Sequence, residues 1–172
     1  MHRNNSAYLF LILLCVFLIN PSRSFPQAVD AAGFYDRAAK MASGGDVDGA
    51  IELFKKSIEK NGYYSLAHYG LGKAYLYRGK IKNAIKHLEK ATDYDSRYAP
   101  AFFYLGMAYL FDKRYNASIS AFSKSLKLDP SMNEALYNIG VAYDETGRTI
   151  KASIYYEKYL YESQKQEMDI LF

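Results

Sequence analysis

The feature that most constrains this chain is a pattern that returns every 34 residues. The clearest copy reads Phe102-x-x-Leu105-Gly106-x-x-Tyr109, followed by Ser118-x-x-x-Phe122. Two further copies run from His68 to Leu88 and from Leu136 to Tyr156, and a fainter one begins at Phe34. Self-similarity at a fixed period is typical of repeat architectures. The sequence therefore predicts four similar units stacked in a row.

Each of the three clear copies places a glycine beside large residues in its first segment. These glycines are Gly72, Gly106 and Gly140. A glycine inside a helix is about 1 kcal/mol less favourable than alanine, so its recurrence in register favours the close approach of a second helix over a loosely packed one. The second segment supplies the small partner, which is Ala84, Ser118 or Ala152. We predict helical hairpins that meet small residue against small, with Phe122 and its equivalents filling the space beside the contact.

This combination resembles the tetratricopeptide repeat. The match covers residues 31–166 and divides them into units 31–64, 65–98, 99–132 and 133–166. The family's leading tryptophan is replaced by Phe34, His68, Phe102 or Leu136, and its closing proline survives as Pro130. The first unit departs furthest, with Met41 where the others have tyrosine. The resemblance implies an all-α fold, namely a right-handed superhelical solenoid of antiparallel helix hairpins.

Eight helices are predicted, near residues 30–43, 47–60, 65–78, 81–93, 99–111, 115–128, 133–146 and 149–166. Gly45, Gly79 and Gly147 mark the bend inside three units, where glycine adopts a left-handed conformation easily. Lys113 occupies that place in the third unit, so its turn is expected to be strained or differently shaped. Ser131 and Glu134 have the spacing of a capping box that opens the fourth unit.

The first 24 residues are predicted to lie outside the fold. Arg3 precedes an apolar run of 13 residues from Ala7 to Ile19, and small residues precede Phe25. This is the layout of a secretory signal peptide, and the run is shorter than the roughly 20 residues that span a bilayer. The sequence predicts an exported protein, periplasmic or secreted, with an uncleaved membrane anchor as the alternative. Residues 25–30 are predicted to be a linker.

Composition and motifs argue against several classes of function. The formal net charge is +4, or +2 without Arg3 and Arg23, and nothing in it indicates nucleic-acid binding. The single cysteine, Cys15, lies in the leader. His68 takes a large core position and His87 is assigned to an outer face among lysines, so neither predicts a metal site. Phosphate loops, nucleophile elbows and clustered acid pairs are absent. We expect no enzymatic activity and no cofactor.

The predicted functional surface is the concave groove that first helices line in this family. The resemblance places one aromatic column there, with further residues beside it and at the rim. The candidate groove residues are Tyr35, Tyr69, Lys73, Tyr77, Phe103, Met107, Phe111, Tyr137 and Val141. Contiguous exposed apolar surface usually marks a binding site, and aromatic residues are enriched in interfaces. The alternative is that the rings pack against neighbouring first helices.

Two functions follow from the sequence, one from the groove and one from the last helix. The first is a protein-interaction adaptor that binds an apolar or aromatic peptide, or an amphipathic helix, outside the cytoplasm. Chaperone-docking members bind a carboxylate with several basic groups, whereas the comparable positions here contain one, Lys73.

The second function is that of a scaffold that self-assembles through the tyrosine-rich last helix. Tyr159, where the family has a small residue, indicates either a closing cap or a sticky end. The tail, residues 167–172, is apolar from Met168 to Phe172 and is expected to fold back over that surface.

Overall fold

The computed structural model describes residues 26–171, with side chains from Asp30 to Gln166. This part of the chain contains eight helices and no strand. In chain order they are α1 (Pro26–Ser43), α2 (Val47–Lys60), α3 (Ser65–Tyr77), α4 (Ile81–Tyr94), α5 (Ala99–Phe111), α6 (Tyr115–Leu128), α7 (Glu134–Asp144) and α8 (Thr149–Leu171). The internal boundaries agree with the predicted ones to within two residues, because each follows from the repeat.

The helices form four antiparallel hairpins, α1–α2, α3–α4, α5–α6 and α7–α8. Each hairpin also packs against the next, and successive first helices contact one another. This arrangement is the predicted all-α solenoid. One buried cluster extends through the first three units and a second joins the third and fourth, as expected where each unit buries its apolar face only against its neighbours.

The regular spacing of the glycines corresponds to a close helix–helix approach, as predicted. A Cβ atom added at Gly106 would lie 2.7 Å from the ring of Phe122, and one at Gly72 would lie 2.6 Å from Leu88. The large residue therefore covers the glycine directly, which differs from the predicted contact of small against small. The small residue is buried beside it, and the Ser118 hydroxyl donates a hydrogen bond to the Gly106 carbonyl at 2.9 Å.

The bends inside the hairpins have the left-handed conformation predicted from their glycines. The φ angles of Gly45, Gly79 and Gly147 are 89°, 69° and 70°, and Lys113 adopts 60° at the same place. A left-handed conformation costs a non-glycine residue roughly 1–2 kcal/mol. The turn of the third unit therefore carries the strain that was expected.

The predicted capping box at the start of the fourth unit is wrong. α7 begins at Glu134, and its N-cap residue, Asn133, forms no side-chain cap. The Ser131 hydroxyl instead donates to the carboxylate of Asp129 at 2.6 Å, and the Ser131 amide donates to the same oxygen. This local turn uses the hydroxyl that the capping box required, because short polar side chains compete for nearby partners.

Both ends of the array are more helical than predicted. Residues 26–30, predicted to be a linker, belong to α1, and the last helix continues to Leu171 instead of ending at 166. Residues 167–171 therefore extend α8 and do not fold back over it. The predicted signal peptide, residues 1–24, lies outside the described residues. None of the helices that are described is both long enough and apolar enough to cross a membrane.

Candidate functional site: the concave groove

The aromatic column of the groove is mostly half-buried. Tyr35, Tyr69 and Phe103 are partly covered, whereas Tyr137 in the last unit is 49% exposed. Exposure is greater at the rim, where Tyr77 is 80% and Phe111 58% exposed. The predicted groove residues thus comprise half-buried rings in the column and more exposed rings at the predicted rim.

The floor rings are held by other aromatic residues. The Tyr35 ring centroid lies 5.7 Å from that of Tyr64, and Tyr69 lies 5.1 Å from Tyr98 in an edge-to-face arrangement. In each pair the second tyrosine immediately precedes the first helix of the following unit. Edge-to-face pairs are favourable beyond the area they bury. Tyr69 also lies 5.7 Å from Tyr104 of the next first helix, in agreement with the alternative in which the rings pack against neighbouring first helices.

A pocket of about 470 Å³ opens between the first two units. Its walls include the rings of Tyr35, Phe54, Tyr69 and Tyr77, and small residues separate these rings. The remaining lining residues are Ala39, Ala42, Ser43, Gly45, Val47, Gly70, Lys73 and Ala74. The volume is within the range of ligand pockets and is suited to one or two large apolar side chains.

Of the described side chains that line this pocket, Lys73 carries a charge and the others are neutral. It is exposed, and its Nζ lies 4.9 Å from the ring centroid of Tyr104. Burial raises the pKa of both Tyr35 and Tyr69 above the usual value for a phenol, so these hydroxyls stay neutral at physiological pH. The pocket therefore offers apolar surface, neutral hydroxyl groups and one cation.

The structure brings four of the predicted groove residues together in this pocket, namely Tyr35, Tyr69, Lys73 and Tyr77. The other five lie outside its lining, in the third and fourth units. They are Phe103, Met107, Phe111, Tyr137 and Val141. The role of all nine in binding stays a prediction.

Sequence reasoning missed Gly70, which is part of the pocket lining. Gly70 stands where the other units have Asp36, Tyr104 and Asn138. A Cβ atom at Gly70 would overlap the ring of Phe54, so the glycine allows this ring to lie against α3. A glycine at a position occupied by larger residues in every other unit was the available signal.

His87 was misassigned to an outer face among lysines. It is half-buried, and its Nδ1 lies 3.0 Å from the Nδ1 of His68, which is 1% exposed and therefore a core residue as predicted. The ring centroids are 5.2 Å apart. The distance between the ring centroids is longer than the distance between the two nitrogen atoms by about one ring diameter. The nitrogen atoms therefore lie between the two centroids, and the rings meet edge to edge.

The hydrogen bonds of this pair determine its tautomers. The Nε2 of His68 lies 3.1 Å from the carbonyl oxygen of Gly62, and a carbonyl can only accept. His68 therefore donates from Nε2 and, being neutral, accepts at Nδ1 from the Nδ1–H of His87. Burial lowers the pKa of His68, and burial together with His68 and nearby lysines lowers the pKa of His87 to about 4. The two rings are a hydrogen-bonded pair, and the described residues contain no cluster of three metal-ligating side chains.

Two tyrosines of the last helix pack against α7. Tyr159 is half-buried and its ring centroid lies 5.6 Å from that of Tyr137, while Tyr155 lies 5.4 Å from Tyr143. Tyr159 thus packs within the fourth unit, and its role as a closing cap or a sticky end stays a prediction.

The family of this chain follows from its match to a family model. The family model for the tetratricopeptide repeat matches residues 42–100, 69–133 and 105–167. The chain belongs to the tetratricopeptide repeat family. This tetratricopeptide repeat protein is a protein-interaction module by its family and fold.

Solved structures show the same fold. MamA is 24% identical over 87% of this chain and 85% of that one, with a TM-score of 0.76. MamA of Desulfovibrio magneticus RS-1 is 21% identical over 96% of this chain and 99% of that one, with a TM-score of 0.74. The second TPR of Spaghetti (RPAP3), solved bound to the HSP90 peptide SRMEEVD, is 28% identical over 58% of this chain and 93% of that one, with a TM-score of 0.57. No curated protein sequence matches the chain.

Proposed function

We propose that this tetratricopeptide repeat protein is a non-enzymatic adaptor that binds an apolar or aromatic peptide segment in its concave groove, outside the cytoplasm. The observation that carries the proposal is the pocket of about 470 Å³ between the first two units. One large apolar side chain of the peptide enters this pocket and contacts Tyr35 and Tyr69. Buried aromatic anchors of this kind supply most of the binding energy in peptide interfaces.

The charges of the groove distinguish this ligand from an acidic chaperone tail. The peptide SRMEEVD found with RPAP3 carries three acidic residues, whereas Lys73 is the charged residue of the described pocket lining. Affinity here depends on apolar contacts, with Lys73 favouring a single acidic group near the anchor. Nucleic acid is not a ligand in this proposal, and a membrane is involved only if the N-terminal segment stays uncleaved.

A peptide-display experiment tests the proposal. The full chain is screened against random 12-residue peptides, and we expect enrichment of sequences with a central aromatic, leucine or methionine residue. Replacing Ala39 by Phe fills the pocket from its lining and should weaken binding of an enriched peptide at least tenfold. Ala39 is half-buried at the pocket surface, so circular dichroism should show an intact fold.

The matched control is Ala117→Phe, the same change at a half-buried position of α6 that belongs to none of the predicted groove residues. It lies outside the pocket lining and should leave the affinity within twofold. A screen without enrichment, or a peptide that binds the Ala39→Phe variant as tightly as the unchanged chain, would contradict the proposal.

A further inference from the structure

The outward face of the last helix differs from that of every other second helix. In α2, α4 and α6 this face is formed by four positions spaced four, three and four residues apart. All twelve residues at these positions are polar or charged, among them Asp48, Lys86 and Ser123. The same positions of α8 are Ile150, Ile154, Glu157 and Tyr161. The last unit therefore places apolar residues where the other three have none.

These residues form one exposed stripe. Ile150 is 81%, Ile154 45% and Tyr161 66% exposed. Their spacing places them on one side of a helix, opposite Ala152, which is 1% exposed and packs within the hairpin. Large apolar side chains exposed in a row are unfavourable in water unless another surface covers them.

The stripe is not the surface that an additional repeat would cover. Ile51 and Ile85 are buried in the first two units, whereas Ser153, at the same position of the last unit, is exposed and polar. The position that is covered when another unit follows has thus become hydrophilic. On the outward stripe, by contrast, apolar residues take the place of polar ones. This difference indicates that the stripe binds a partner other than a further repeat.

We infer that this stripe binds a second copy of the chain, through an antiparallel pairing of two α8 helices about a two-fold axis between Glu157 and Lys158. In this register Ile154 faces Tyr161 of the second copy, and the symmetry repeats the contact. Glu157 faces Lys158 of the second copy, again twice. A two-fold interface requires a surface that is complementary to itself, and the order Ile154, Glu157, Lys158, Tyr161 meets this requirement.

The charges favour a second copy over a lipid surface. The exposed pair Glu157 and Lys158 carries no net charge that an anionic membrane would attract, and a lipid surface offers no cationic partner to the carboxylate of Glu157. In the antiparallel pair it meets a lysine. The length of α8 also suits the pairing, because it has 23 residues where α2, α4 and α6 have 14. Two helices of this length can pair over more residues than two 14-residue helices could.

Sedimentation velocity on the full chain tests this interface by charge reversal. We expect a dimer whose fraction rises with concentration, because a contact confined to two helices is small. Ile154→Glu should abolish it. Glu157→Lys should raise the dissociation constant at least tenfold, and the double swap Glu157→Lys with Lys158→Glu should restore it. All three residues are exposed, so the fold should be unchanged by circular dichroism.

Cross-linking gives an independent measurement of the register. In a Cys15→Ser background, Glu157→Cys places a thiol beside the two-fold axis and should yield a disulfide-linked dimer under mild oxidation. Ser123→Cys, at the corresponding position of α6, is the matched control and should stay monomeric. Equal cross-linking of both variants would overturn the inference.

Two further results would overturn it. One is a monomer at all concentrations up to several hundred micromolar. The other is binding to phosphatidylglycerol vesicles that Ile154→Glu abolishes in a chain that does not dimerise, which would assign the stripe to a lipid surface. The interface is separate from the groove, so a failed peptide screen would leave it intact.

Discussion

The ring of Phe122 lies directly over Gly106, so close that a Cβ atom on the glycine would be 2.7 Å from the ring. Phe122 itself is fully buried. The missing side chain thus creates the space that the ring occupies, and the recurring glycine of the repeat has a packing function.

Replacing Gly106 by Ala should destabilise the protein by about 1–3 kcal/mol, because the added methyl group overpacks the helix crossing. Gly106→Leu should cost more. Urea unfolding followed by circular dichroism measures the free energy of unfolding. Gly33→Ala is the matched control, since Gly33 is helical and has no atom within 4 Å of an added Cβ. It should be neutral or stabilising by up to about 1 kcal/mol. Equal effects of the two substitutions would contradict the packing.

The turn at Lys113 should be improved by glycine. Its φ of 60° is unfavourable for lysine by roughly 1–2 kcal/mol, and part of this is offset by the greater flexibility of glycine in the unfolded chain. We expect Lys113→Gly to stabilise the protein by about 0.5–1 kcal/mol in thermal or urea unfolding. The reciprocal change, Gly79→Lys, should destabilise it by a similar amount. A loss of stability in Lys113→Gly would show that its side chain contributes more than the strain.

The histidine pair should make the protein less stable in mild acid. The pKa values of His68 and His87 are lowered in the folded state, that of His87 from 6.5 to about 4. Between these values the unfolded chain binds more protons than the folded one, so stability falls as the pH decreases from about 6.5 towards 4. Lys55, Lys86 and Lys90 act in the same direction on His87, because their positive charges oppose its protonation.

Proton NMR of the imidazole rings measures this directly, and the His87 ring should titrate with a midpoint near 4. The matched variant replaces both histidines by Gln and should lose part of the dependence of the unfolding temperature on pH in that window. The remaining acid sensitivity would come from carboxylates. Titration of both histidines near pH 6.5 would refute the buried hydrogen-bonded pair.

The N-terminal segment predicts a processed protein. We expect N-terminal sequencing of the chain recovered from its own cells to begin at Phe25, because small residues precede that position and the apolar run is short. Leu13→Arg, which places a charge within the run, should block export and leave the full-length chain inside the cell. Recovery of the uncleaved chain in the membrane fraction would favour the anchor instead.

Sequence was sufficient for features that depend on local periodicity. The 34-residue repeat predicted the hairpins, their bounds and the left-handed bends, because each rests on residues a few positions apart on one helix. A close approach at Gly106 was predictable, because a helical glycine costs about 1 kcal/mol and its recurrence in register indicates a compensating contact. That the ring of Phe122 makes this contact was not predicted. The Ser131 capping box failed because a neighbouring carboxylate, Asp129, competed for the same hydroxyl at short range.

The tertiary structure decided which sides of the helices are covered. Whether Tyr69 is open or supported depends on Tyr98, which comes from the start of the next unit. His87 meets His68 because two helices of one hairpin cross at that point. The sequence by itself determined that this chain is a stack of helical hairpins, because the period repeats the same local packing four times. Which faces are buried, and so where a ligand can bind, was decided by the angles between units, and these depend on the sum of many contacts.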